Sequence, residues 1–147
     1  MTPELFRHLV GQASLAPSVH NVQPARWLLD GDTVWLLEDR RVRLPAADPE
    51  GHDAAMSLGA AFEGLVMAAA QNGLHVHHAT ADDAGKADLR AVARLTFAPG
   101  APALPLAQHV GARQSWRGRF VAPTPEDRQA AAQLTGTDCV VLDAPAT

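Results

Sequence analysis

Two short stretches hold most of the side chains in this sequence that could do chemistry. The first runs Ala16-Pro17-Ser18-Val19-His20-Asn21-Val22-Gln23-Pro24. It sets a hydroxyl, an imidazole and two amides between rigid prolines. Such a loop can offer backbone N–H groups and amide side chains to a planar polar ligand. The plainer alternative is a helix end whose polar side chains satisfy their own backbone. The second stretch is Arg113-Gln114-Ser115-Trp116-Arg117-Gly118-Arg119-Phe120. Guanidiniums and a hydroxyl this close together can clamp a phosphate through charge-assisted hydrogen bonds. The alternative is a solvated basic face, the usual fate of a charge run.

Other residues carry weaker signals. His75 and His77 would share one face of a strand and could approach a metal ion, but no third ligand is evident. A polar strand face is the better reading, and no metal is expected. Cys139 sits beside Val140 and Val141, which suits a buried core thiol. Trp27 and Trp35 are expected to pack a hairpin.

The elements that must position these groups follow from local patterns. Thr2-Pro3-Glu4 reads as a helix start: a capping hydroxyl, proline at the first position and an acid near the positive end. Leu5, Phe6, Leu9, Val10 and Ala13 recur at helical spacing, and Pro17 should stop that helix at about Ala16. Residues 18–24 then form a loop. Apolar runs at 26–29 and 33–37 around Asp30-Gly31-Asp32 predict a hairpin. An irregular stretch follows over 40–51. Residues 52–72 form a long helix, apolar on most sides and ended by Gly73. Within it Gly59, Ala60, Ala61 and Gly64 would permit close backbone approach. Strands are expected at 74–79, 89–97 and 139–142. A loop covers 99–105, a short helix 106–111, and Thr124-Pro125-Glu126 starts a last helix running to about Leu134. The fold class is therefore α+β.

Composition narrows the function. The chain has 147 residues, 47% hydrophobic and 19% charged, which is enough apolar material for a real core. A formal charge of −4 argues against general nucleic-acid binding. One cysteine excludes an intrachain disulfide and a multi-cysteine metal site, and suits a cytoplasmic location. No basic start followed by an apolar run marks a signal peptide. Glu63 interrupts the most apolar stretch, so no membrane span is expected.

Taken in order, several motifs resemble the FMN-binding nitroreductase family, most of all its Acg-like branch. They are the A-P-S-x-H-N-x-Q-P loop and hairpin, Asp39-Arg40, Leu44-Pro45, Asp48-Pro49-x-Gly51, and Gly59-Ala60-Ala61 in the long helix. Arg113-x-Ser115-x-Arg117-x-x-Phe120 is similar to the signature that opens the second of that branch's two degenerate repeats. The resemblance implies a nitroreductase-like fold, with a small antiparallel-rich sheet packed on the central helix. It implies one such domain over 1–147, with a first repeat to about residue 112 and the start of a second from 113. Arg113, Ser115 and Arg117 match positions that bind the FMN phosphate and ribityl chain. Pro17, Ser18, Val19 and Asn21 match the loop that contacts the isoalloxazine ring from the opposite repeat or subunit. Trp116 is a further residue that could cover a flavin edge. The chain departs from the usual pattern at Ala25, where an aromatic is common, and at Gly64, where an asparagine is common.

The implied activity is hydride transfer from NAD(P)H through FMN to a nitroaromatic or quinone. The chemistry belongs to the flavin, so no side chain is named as acid, base or nucleophile. A homodimer is expected, because the long helix is more apolar than one small sheet can cover. Two other readings stay open: a non-catalytic flavin-sequestering protein, and a degenerate half-length chain without cofactor.

Overall fold

The computed structural model describes residues 1–81, 88–102 and 104–134. The chain divides into two compact units, Met1–Arg113 and Gln114–Thr147. The strand expected at 139–142, with Cys139, lies outside the described residues.

The first unit opens with helix α1, Pro3–Ala13, capped by the Thr2 hydroxyl, which accepts the Leu5 N–H at 3.2 Å. The helix stops three residues before the expected end at Ala16. Ser14 Oγ donates back to the Val10 carbonyl, and the N–H groups of Leu15 and Ala16 reach the carbonyls of Gln12 and Ala13. The last turn tightens into this i→i−3 pattern before Pro17 is reached.

Strands β1, Ala25–Asp30, and β2, Thr33–Asp39, form the expected hairpin around Gly31-Asp32. Gly31 has φ 58°, the left-handed conformation that such a turn needs. Helix α2, His52–Gln71, follows, and then β3, Leu74–Thr80, and β4, Leu89–Pro99. All pairings are antiparallel, in the order β1-β2-β4-β3. A short 3₁₀ helix covers Pro105–Ala112, where a short helix was expected at 106–111.

The core lies between the helices and one face of the sheet. Leu9 and Ala13 of α1 meet Leu58, Leu65, Ala68 and Ala69 of α2, over Val34, Leu36, Ala93 and Leu95 of the strands. Each fully buried leucine contributes about 1.5–3 kcal/mol. By length and composition α2 could cross a membrane, yet half of its apolar window is buried within the protein, as befits a core helix.

One expectation about packing needs correction, that for Gly59, and the hairpin tryptophans fall on different faces. Trp27 packs on the core, but Trp35 does not join it. Trp27 stands opposite Leu36 and Trp35 opposite the exposed Leu28, so the two indoles project from opposite faces of the hairpin. Close helix approach occurs at Gly64 and not at Gly59. A Cβ added at Gly64 would lie 3.2 Å from Ala13 Cα, whereas one at Gly59 would meet nothing within 4 Å. Gly64→Ala is therefore expected to destabilise by about 1–3 kcal/mol through backbone overpacking. Gly59→Ala should stabilise by about 0.5–1 kcal/mol through helix propensity. Urea unfolding of the two variants checks this, and equal effects would contradict it.

The second unit contains helix α3, Pro125–Leu134. Thr124 caps it: its hydroxyl accepts the Asp127 N–H at 3.1 Å, and the Asp127 carboxylate accepts the Thr124 N–H at 2.9 Å. Both Thr-Pro-Glu segments thus start helices by the same chemistry.

Candidate functional site

The loop after α1 is the most strained described segment. His20, Asn21 and Gln23 have φ of 46°, 57° and 51°, and none is glycine. Each such residue costs about 1–3 kcal/mol and persists only where its surroundings over-determine it. Here they do. Ser18 Oγ accepts the Gln23 N–H at 3.0 Å, and the Gln23 amide donates to the Asn21 side chain at 3.0 Å and the Ala16 carbonyl at 3.3 Å. A short 3₁₀ turn over Val19–Asn21 closes the middle.

Two contacts tie this loop to the scaffold. Buried Ser57 of α2 accepts the Val19 N–H at 3.1 Å and donates to the Asp53 carbonyl at 2.7 Å. At the exit, Arg26 donates to the Gln23 carbonyl at 2.6 Å and pairs with Asp39 at 3.0 Å. Asp39 also uses its own N–H to reach the Pro24 carbonyl at 2.8 Å.

Asp39 belongs to a buried pair of carboxylates with Glu38. Arg43 and Arg90 hold Glu38 at 2.8 and 2.7 Å, and Arg41 holds Asp39 at 2.8 Å. Hydrogen bonds from the Arg41 side chain keep the Asp39 carboxyl far below the usual carboxylate range against the opposing effect of burial. At Glu38 burial is the largest influence and would raise the carboxyl, but the bonds and charges of Arg43 and Arg90 together outweigh it. These groups act as a clamp on the hairpin and the loop exit.

The residues 113–120 divide between the two units. Arg113 ends the first, where it donates to the Leu15 carbonyl at 2.9 Å, two residues ahead of Pro17. One end of the proposed clamp thus meets the entrance of the loop. Ser115 and Arg117 belong to the second unit, on an exposed segment without regular structure. In that segment the Trp116 ring lies against Gly118, and Phe120 and Val121 are 86% and 89% exposed.

Between the loop and α2 lies an open cleft of about 380 Å³. Pro17, Val19, Met56 and Ala60 give it apolar walls, and Ser18, Ser57 and Asp53 supply polar groups. An apolar slot with a polar edge suits a flat ring with heteroatoms on its rim. Among the described residues no three histidine, cysteine or acidic side chains converge as a metal site. The rings of His75 and His77 meet edge to face, centroids 4.6 Å apart, on the exposed face of β3.

The loop is legible in the sequence, but Ser57, Arg26 and Glu38, which hold its frame, are not singled out there. Glu38 had a signal: Val34, Leu36 and Glu38 alternate onto one face of β2, and Arg40, Arg41 and Arg43 follow at once. Ser57 had none, since it lies 38 residues from its partner.

No family model matches the chain. It is similar to a Mycobacterium tuberculosis protein named as the NAD(P)H nitroreductase acg, with 36% identity over 73 residues. That stretch is 50% of this chain and 22% of the relative, so the chain spans about a fifth of the length of the curated relatives it matches. Among solved structures, a nitroreductase family protein of Clostridium difficile matches with a TM-score of 0.57 at 11% identity, over 95% of this chain and 88% of that one. A Desulfovibrio desulfuricans nitroreductase in complex with FMN matches with a TM-score of 0.56 at 18% identity, over 85% and 87%. At such identities the structural matches speak for the fold. Half of the chain is thus similar in sequence to a protein named as the NAD(P)H nitroreductase acg, and its α+β fold is that of nitroreductase-family structures.

Proposed function

We propose that this chain contributes an FMN site to an oxidoreductase of nitroreductase type. Nicotinamide supplies hydride, and a small nitroaromatic or quinone receives it. The observation that carries the reading is the strained loop at 18–23, locked beside an apolar cleft in a chain related to NAD(P)H nitroreductases by sequence. Strain held in place by a network of bonds is typical of a ligand-shaping segment. The relatives' names carry the nicotinamide, and the FMN complex of a structural neighbour carries the cofactor.

The residues present fit FMN. The cleft walls suit a flat ring, and Pro17, Ser18, Val19 and Asn21 would hold it. Arg113 is exposed and gives one guanidinium N–H to Leu15, which leaves further donors for a phosphate. Ser115 and Arg117, in the second unit, are proposed as further phosphate contacts on the sequence resemblance alone. When bound, FMN supplies two-electron chemistry, and the protein supplies position and polarity. Ser57 sets the Val19 backbone, Arg26 and Asp39 set the loop exit, and the apolar walls exclude water. No side chain of this chain is assigned a proton-transfer role.

We also propose a homodimer, supported by the exposure of Met56, Trp116, Phe120 and Val121, and a cytoplasmic location, supported by the single cysteine. A stable monomer by light scattering at micromolar concentration would overturn the dimer. Anaerobic rapid mixing of the FMN-loaded protein with NADH and with NADPH tests the activity. Bleaching of the flavin band by one of them, and its return with a quinone, is expected. A tightly bound flavin that stays oxidised with both would favour sequestration instead.

A further inference from the structure

Another hollow, of about 260 Å³, opens between α2 and the sheet. The flavin cleft takes Asp53, Met56, Ser57 and Ala60 from α2, whereas this hollow takes Ala55, Leu58, Gly59 and Phe62. At 3.6 residues per turn the two sets lie on opposite sides of the helix. The floor is apolar and buried: Leu36, Leu58 and Ala93. Phe62 and Val92 form half-buried walls. The Phe62 ring meets the His78 ring edge to face, centroids 5.0 Å apart, which closes the wall from α2 to β3. Gly59 leaves the space above α2 open, since a Cβ there would meet nothing within 4 Å.

The polar groups come from the strands, as Arg90, Thr80 and His78. Arg90 stands opposite Glu38 in the β2–β4 register, and its Nε donates to the Glu38 carboxylate at 2.7 Å. That bond orients the guanidinium and uses one of its five N–H donors. The other four form no hydrogen bond among the described residues. Glu38 is shared with Arg43, so these three side chains together carry one net positive charge. A planar carboxylate matches the free side of an oriented guanidinium, and the buried floor suits an apolar group attached to it.

We propose that this hollow is a binding site for a small monocarboxylate that carries one aromatic or branched apolar group. The apolar group lies on Leu36, Leu58 and Ala93, and the carboxylate accepts from Arg90. The site shares no residue with the flavin cleft and stands independently of the flavin reading.

The test titrates 4-isopropylbenzoate and 4-isopropylbenzamide into the 147-residue chain without flavin, with dissociation constants from ligand-observed NMR. The two probes share their apolar part and differ by one charge. The benzoate should bind about fivefold more tightly, the upper end for an ion pair that water still reaches. Arg90→Gln should remove that preference. Gly59→Leu fills the hollow and should weaken both probes about tenfold. Leucine is the better helix former, so this variant should unfold at no lower urea concentration than the wild type. Equal affinity of the wild type for benzoate and amide, or unchanged binding in Gly59→Leu, would overturn the proposal. A wild type that binds neither probe would also overturn it, and a change of sedimentation in Gly59→Leu would then identify the hollow as an interface between copies.

Discussion

Arg113→Ala is expected to weaken FMN about ten- to a hundredfold while affecting riboflavin far less. A hydrogen bond to a charged group contributes about 1.5–3 kcal/mol, and only FMN carries the phosphate that would receive it. The variant also removes the bond from Arg113 to the Leu15 carbonyl. That loss acts on the loop entrance and so on both flavins alike. The informative quantity is therefore the FMN-to-riboflavin ratio of dissociation constants, measured by flavin fluorescence. Arg117→Ala should move the same ratio in the same direction. Equal losses for the two flavins would mean that Arg113 only holds the chain at Leu15.

The second large effect concerns stability. Arg43→Ala combined with Arg90→Ala should cost about 3–5 kcal/mol at neutral pH, because it leaves Glu38 buried without a counter-charge. Glu38 is 1% exposed beneath these guanidiniums, which are themselves 47% and 36% exposed, so water entering their place recovers part of the loss and the effect falls at the low end of that range. Adding Glu38→Gln to the double variant should restore part of the loss by removing the charge. Urea unfolding across pH gives the sign. In the wild type the Glu38 and Asp39 carboxyls lie below their ordinary values. The unfolded chain then binds protons more readily, so their contribution is present above about pH 4 and is lost as pH falls below it. In the double variant burial pushes the Glu38 carboxyl up instead. The folded state now holds the proton, and stability is lost as pH rises through that higher value. The gap between wild type and variant should therefore widen from pH 4 to pH 7. A gap that is constant with pH would show that Glu38 is not the group involved.

The sequence makes local structure legible where local chemistry decides it. Both Thr-Pro-Glu caps, the Asp-Gly hairpin and the glycine end of α2 were expected and are present. Expectations about faces fared less well, because they depend on register. Gly59 and Gly64 are five residues apart, which at 3.6 residues per turn sets them well around the helix from each other. Only Gly64 can face Ala13. Trp27 and Trp35 separate in the same way, since the hairpin pairs Trp27 with Leu36 and not with Trp35.

The candidate site was legible as a composition and not as a shape. Two prolines, a serine, an asparagine and a glutamine announced a polar loop. Its three left-handed residues were not legible, because their conformation needs the bonds of Ser18 and Gln23 within the loop together with those of Ser57 and Arg26 from outside it. The cleft was illegible for the same reason. Pro17 and Val19 meet Met56 and Ala60 only through the packing of the loop on α2.

Titrating FMN into the 147-residue chain tests most directly whether it holds the cofactor. Flavin fluorescence and visible absorbance are followed together. Saturable quenching with a resolved shift of the flavin band is expected, weakened when Ser57→Ala frees the Val19 backbone. Fluorescence and absorbance that match free FMN at every protein concentration would contradict it.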